Sequence, residues 1–266
     1  MNGTLNNLKV TYDHQGYFVL RNYFNAEELL YLRQAILQFH HNWQQDNQHF
    51  YQTEAFNSSL ITGTQYLANT ERLQLFNFIS STKMTQIIET IIPHKPAFMN
   101  TQLFFNPCTT AQENFWHRDC QYDHDLAGQQ QAIKDTQVVH FRVPLFDEPG
   151  MELVPGSHKR WDTQEELDVR LARKRKFSSD EISTGKKIPL NAGDLLVFSA
   201  DMIHRGLYGK DRLAFDTLIF DSSGDFVDYV DDDCLPNQQM LKHINNTTIF
   251  NNTLHLKSLN YHNHAY

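Results

Sequence analysis

Over residues 26–39 apolar side chains (Leu29, Leu30, Leu32, Ile36, Leu37) return at helical spacing, which predicts an amphipathic helix. Asn25 stands before it with Glu28 three positions on, a capping-box variant in which the asparagine side chain satisfies early backbone N–H groups. Shorter helical patterns fall at about residues 71–78 and 83–92, the second stopped by Pro93. Upstream, residues 12–20 read as a turn running into a short strand. From residue 97 the pattern changes. Residues 98–106, 138–145, 151–154, 194–198 and 212–220 are short strand-like runs, punctuated by Pro107, Pro144, Pro149-Gly150, Pro155-Gly156 and Gly193. Helices first and many short strands afterwards predict an α+β chain built on a double-sheet jelly roll with flanking N-terminal helices. Residues 1–266 read as one domain, with a core at about 10–220. The extension 221–266, with Asp231-Asp232-Asp233 and many asparagines, offers no pattern that places it.

Composition narrows the partners. Nineteen Phe and eleven Tyr supply ample material for a buried core and favour strands. A net charge of −8 is the opposite of what phosphate neutralisation needs, so nucleic acid is not an expected partner. No run approaches a membrane span, and the N-terminus lacks the basic start and apolar stretch of a signal peptide. Cys108, Cys120 and Cys234 form no CxxC pair and are read as reduced thiols, with the cytoplasm as the expected location. The charged stretch 170–187, dense in Arg170, Arg173, Lys174, Arg175 and Lys176, reads as a solvated face or exposed loop; its sharper reading is a lid over an anionic substrate.

The chemistry centres on His117-Arg118-Asp119. On a strand, residues i and i+2 share a face, so His117 and Asp119 can bind one ion together. A third ligand from elsewhere gives two imidazoles and a carboxylate on one face of an octahedron, leaving positions free for a bidentate cosubstrate and dioxygen. Taken alone, His-x-Asp occurs easily by chance. Downstream, Gly193-Asp194 opens an apolar strand, and His204 follows it where a side chain can reach a barrel mouth. Eight positions later comes Arg212, whose planar fork suits a carboxylate. A surface salt bridge with Asp211 or Asp216 is the plainer account of that arginine.

These blocks resemble the phytanoyl-CoA dioxygenase family of 2-oxoglutarate oxygenases. The resemblance runs in order over about residues 10–220: Gly16-Tyr17-Phe18-Val19-Leu20 with Glu27-Glu28-Leu29, then His117-Arg118-Asp119, Val154-Pro155-Gly156-Ser157-His158, and Gly193-Asp194 through His204 to Arg212. It implies a cupin-like double-stranded β-helix. It also implies Fe(II) held by His117, Asp119 and His204, and 2-oxoglutarate whose distal carboxylate rests on Arg212. His158 is read as structural. Gln102 is assigned to cofactor binding with Arg212, and Asn100 and Arg142 are further candidates for the pocket wall. Arg118 stands where the family often has Gln, and Gly206 where a small hydroxyl residue often follows the distal His; the His204–Arg212 connection is short. Halogenating relatives lack the metal carboxylate, and Asp119 is present. The expected activity is therefore oxidation, by hydroxylation or otherwise, of a small-molecule C–H bond with dioxygen, giving succinate and CO2. The alternatives are a cupin-like isomerase and a non-catalytic small-molecule-binding protein on the same fold. Acyl-CoA enters only through the family's name, and neither substrate nor oligomeric state is legible.

Overall fold

The structure, a computed structural model, describes residues 2–109, 111–135, 138–224 and 226–263. Helix α1 (Asn2–Gln15) runs up to Gly16, whose positive φ of 83° turns the chain into β1 (Tyr17–Leu20). The start of the 12–20 stretch, expected as a turn, is thus helix up to Gln15. Helix α2 (Ala26–Asp46) starts as predicted, with the full Asn25/Glu28 capping box, and runs seven residues past position 39. The extra turns bury Trp43 beside Phe39. Then come α3 (Gln48–Thr53), β2 (Asn57–Ser59), α4 (Asn69–Ile79), α5 (Thr82–Ile91) and β3 (Pro96–Phe105).

A loop carrying residues 106–125 leads to α6 (Leu126–Asp135), β4 (Val138–Pro144), β5 (Glu148–Leu153), α7 (Gln164–Arg170), β6 (Lys186–Leu190), β7 (Leu195–Ser199), β8 (His204–Gly206) and β9 (Leu213–Asp221). Helices α8 (Gln238–Leu241) and α9 (Thr248–Asn263) close the chain. The predicted strands are present within one to three residues at each end. The short helices α3, α6 and α7, and strand β6 with exposed lysines, carry too few apolar repeats to be read in advance.

Two antiparallel sheets result. The larger has the order β1-β7-β4-β9-β3-β2 and the smaller β6-β5-β8. Strand β4 is buried along its whole length between β7 and β9, which explains its nearly unbroken apolar sequence. Between the sheets, Met151, Leu153, Ile188 and Leu190 pack on Leu196, Phe198 and Tyr17. On its other face the large sheet meets α2, α4 and α5 in the main core, with Phe39, Phe76, Phe98, Phe141 and Phe215 essentially inaccessible. The unplaced C-terminal extension belongs to that core: Phe250 packs on Phe76 and Phe98, and the Thr253 hydroxyl donates to the Phe98 carbonyl at 2.8 Å. The three cysteines are free thiols. Among the described residues no helix is long and apolar enough to cross a membrane.

Candidate active site

His117 and His204 meet as a single antiparallel bridge at the free edge of the small sheet. The His117 amide donates to the His204 carbonyl at 3.0 Å, and the His204 amide to the His117 carbonyl at 2.9 Å. Each ring is then locked by its own backbone. The Nδ1–H of His117 donates to the Phe115 carbonyl at 3.1 Å, and that of His204 to the Met202 carbonyl at 2.9 Å. Both Nε2 lone pairs are left facing inward. The rings lie 4.2 Å apart, and Asp119 Oδ1 sits 3.7 Å from His117 Nε2 and 3.4 Å from His204 Nε2. Two ligands at right angles, each about 2.1 Å from an ion, lie roughly 3 Å from one another, so a small contraction of this cage would seat a metal. One donor atom from each residue falls within 4.8 Å of the others.

The route to this geometry differs from the expected strand. After the bridge at His117 and an extended Arg118, the chain turns into a 3₁₀ turn at Asp119–Gln121. A continued strand would have carried Asp119 along the sheet; the turn instead brings its carboxylate back over the two rings. Arg118 does point away from the metal face, as alternation requires. It is fully buried, donates to Asp162 at 2.8 and 3.0 Å and to the Ser157 carbonyl at 2.8 Å, and also reaches the Asp201 carbonyl. Arg170 grips the other oxygen of Asp162 at 2.8 Å. The basic stretch therefore splits. Arg170 is an internal anchor, Arg173 to Lys176 are exposed, and none of residues 170–187 lines the site cavity, so this stretch does not form the expected lid over it.

Sequence reasoning missed His140. From β4 its Nε2 donates to Asp119 Oδ2 at 2.8 Å and its Nδ1 to Asp216 Oδ2 at 3.2 Å, while the ring stacks on Phe198 at 4.5 Å. Two carboxylate acceptors demand a proton on both nitrogens. Burial alone would lower this imidazole, but the hydrogen bonds and charges of Asp119 and Asp216 outweigh it and push it up to about 9. Burial, helped by the neighbouring His117, pushes His204 down to about 3, and His117 is lowered by burial too. For Asp119, burial works upward but the His140 hydrogen bond and the imidazole charges prevail, holding it well below the usual carboxylate range. The set is thus two neutral imidazoles and an anionic carboxylate, the protonation states a metal requires. A readable signal existed: His140 and Arg142 alternate inside an otherwise apolar strand, so both must leave it on one face.

That face continues to a buried charge chain. Arg142 lies 3.3 Å from Asp216 and 3.4 Å from Glu148, whose other oxygen is 3.7 Å from Nε of Arg212. Arg212 is buried against the Phe104 and Tyr208 rings, with Nε and Nη1 lacking any hydrogen-bond partner. Burial and the charge of Arg142 push it down to about 10. Neither Asp211 nor Asp216 forms an ion pair with it among the described residues; the surface-bridge account fails because the side chain turns inward. Its Nη2 passes 2.3 Å from where a Cβ on Gly206 would stand. A hydroxyl residue at that position would collide with the guanidinium, which gives a physical reason for Gly206. Metal triad and Arg212 open onto one cavity of about 510 Å³, which Asn100, Gln102 and Arg142 also line. His158 is buried away from it against Tyr12.

A family model described as phytanoyl-CoA dioxygenase matches residues 12–208. No curated protein sequence matches the chain significantly. Solved structures of similar fold include the non-heme alpha ketoglutarate dependent epimerase SnoN from nogalamycin biosynthesis, with 16% identity and a TM-score of 0.55, covering 84% of this chain and 85% of that one. EctD from S. alaskensis, with 2-oxoglutarate and 5-hydroxyectoine, shows 14% identity and a TM-score of 0.58, covering 81% and 75%. The carbocyclase SnoK, also alpha ketoglutarate dependent and from nogalamycin biosynthesis, shows 14% identity and a TM-score of 0.54, covering 81% and 83%.

Proposed function

Since this chain belongs to the phytanoyl-CoA dioxygenase family, we propose that it is an Fe(II)- and 2-oxoglutarate-dependent dioxygenase that oxidises a C–H bond of a small molecule, with hydroxylation as the outcome. The carrying observation is the convergence of His117, Asp119 and His204 within one cavity, next to a buried arginine that has two N–H groups unspent. The two antiparallel sheets packed through an apolar layer fit a double-stranded β-helix, and cytoplasmic residence accords with three free thiols.

The donor set suits Fe(II): two imidazoles and one carboxylate on one side, with the cavity on the other. When bound, iron and 2-oxoglutarate supply an oxidant strong enough to attack a C–H bond, with dioxygen consumed and succinate and CO2 released. The chain's own part is positional. The carbonyls of Phe115 and Met202 hold the imidazoles in the tautomer that presents Nε2. His140 occupies Asp119 Oδ2 and leaves Oδ1 for the ion. Arg212 offers its open fork to the distal carboxylate, and the Gln102 amide on β3 provides a second polar contact from the adjoining wall. Met151, Phe198 and Leu218 line the inner cavity and exclude water.

The similar folds named as an epimerase and a carbocyclase bear on the rival reading: an isomerising outcome is compatible with 2-oxoglutarate dependence, and the metal and arginine set would serve both. The test is succinate release from 2-oxoglutarate by the purified protein. It should require Fe(II) and oxygen and vanish in Asp119→Ala. Succinate formation that is absent under all conditions, in a folded sample that binds iron, would overturn the oxygenase reading and leave the cupin-like isomerase and the non-catalytic binding protein.

A further inference from the structure

The outer half of the cavity differs in character from the inner half. Phe56, Phe115, Tyr122 and Tyr229 ring the mouth together with Asp123 and Asn114. Phe56 and Phe115 meet edge to face at 6.0 Å, and Phe115 and Tyr122 flank the His117 ring at 5.2 and 5.8 Å. An aromatic wall therefore runs unbroken to the metal triad. Asp123 and Tyr229 interact across the mouth, where burial together with the Asp123 charge and hydrogen bond holds the Tyr229 phenol above its ordinary value. Tyr229 comes from the C-terminal extension, which thereby gains a part in the site.

Charge follows the same division. The cationic side chains lining the cavity, His140, Arg142 and Arg212, are all at its buried inner end, where Asp119 and Asp216 face His140, Asp216 and Glu148 face Arg142, and Glu148 faces Arg212. The cation–π contacts of the two arginines fall on Phe104 and Tyr208; among the described residues no arginine or lysine sits over Phe56, Phe115, Tyr122 or Tyr229. No protein cation therefore occupies these rings, and the charged side chains acting on them, Asp123 first and Asp228 and Asp119 after it, are carboxylates. Aromatic faces joined to a carboxylate attract a cation, since the ring quadrupole and the anion act in the same sense. The chain's overall charge of −8 adds to the field.

We infer that the substrate is a small organic cation, an amine or quaternary ammonium compound, held by the Asp123 carboxylate and the aromatic mouth, and not a coenzyme A thioester. This rests on the cavity being the oxygenase active site proposed above. A coenzyme A thioester carries several phosphate charges and would need lysines or arginines at the rim, where the described lining has none.

The test uses one scaffold in three charge states: phenethylamine, phenethyl alcohol and 3-phenylpropionate, with free coenzyme A as a fourth probe. Binding to the full-length protein is followed by ligand-observed NMR, first in chelator and then with Fe(II) and 2-oxoglutarate under anaerobic conditions. Phenethylamine should bind in the millimolar range, about tenfold more tightly than 3-phenylpropionate. Asp123→Asn should remove that preference while leaving the visible absorption of the iron–2-oxoglutarate complex unchanged. Asp123 is exposed on a loop, so the variant keeps its fold. Equal or tighter binding of 3-phenylpropionate or coenzyme A overturns the inference, as does undetectable binding of phenethylamine or indifference to Asp123→Asn. A charge-ordered series without the iron–2-oxoglutarate absorption would instead overturn the oxygenase reading and keep the cation site.

Discussion

Asp119 presents its two oxygens to different partners, Oδ1 toward the imidazole pair and Oδ2 to His140. Removing His140 frees the carboxylate to rotate or to chelate through both oxygens. His140→Asn should therefore weaken Fe(II) affinity on the order of 10- to 100-fold, the usual cost of losing a group that orients a metal ligand. Equilibrium metal titration reads this directly, and unchanged affinity would remove His140 from the site's machinery. Gly206 sets the reach of Arg212. Its missing side chain is the space through which Arg212 reaches the cavity, so Gly206→Ala should displace the guanidinium and raise the 2-oxoglutarate KM, while Fe(II) affinity stays the same. Arg212→Ala should lower 2-oxoglutarate affinity on the order of a hundredfold, because a buried carboxylate would lose its charge-assisted donors. His117, Asp119, His204 and Arg212, which the structure brings to one cavity, could be picked out because they stand in ordered blocks with recognisable neighbours. His140, Glu148 and Asp216 were not. The alternation of His140 and Arg142 marks one face of β4, but the partners on that face come from long-range pairing: the β4–β9 register aligns Arg142 with Asp216 and places His140 at Leu218, while Glu148 arrives from β5.

At the scale of elements, the metal loop is held from behind. Arg118 and Arg170 share the two oxygens of Asp162, and all three side chains are sealed from solvent. This unit ties the segment bearing His117 and Asp119 to helix α7. Asp162→Asn leaves two buried guanidiniums without their counter-charge, and should cost about 3–5 kcal/mol of stability, measurable by urea unfolding. Burial already lowers Arg118 below its ordinary value even with Asp162 beside it. A charge-dense sequence suggested a solvated surface over 170–187, and for residues 173–176 that is what forms. For Arg170 the inference failed, because charge says nothing of burial when the partner, Asp162, is already placed by another element. Strand positions were legible from apolar runs bounded by glycine and proline. The 3₁₀ turn at Asp119 was not, since it depends on backbone support such as the Asp119 amide donating to the Ala200 carbonyl at 3.1 Å.

For the whole molecule, the buried histidines set the pH range of the metal-free protein. His40, His158 and His204 are depressed below 6.5, each by burial first, to about 4, 4 and 3. Between those values and 6.5 the unfolded chain binds more protons, so stability falls as pH drops through this window. His140 is raised to about 9, so between 6.5 and 9 the folded chain holds the extra proton and stability falls as pH rises. Melting temperature in the presence of a chelator should accordingly peak near 6.5. His140→Gln should flatten the alkaline limb and leave the acidic limb in place. An alkaline limb unaltered by that substitution would contradict the assigned proton.

Iron and 2-oxoglutarate would be held together in the one cavity that His117, Asp119, His204 and Arg212 line. Anaerobic addition of Fe(II) and then 2-oxoglutarate should produce a visible charge-transfer band that saturates at one equivalent of each, is lost in Asp119→Ala, and needs far more 2-oxoglutarate in Arg212→Ala. A folded protein that takes up Fe(II) yet develops no band at any 2-oxoglutarate concentration would contradict this joint binding.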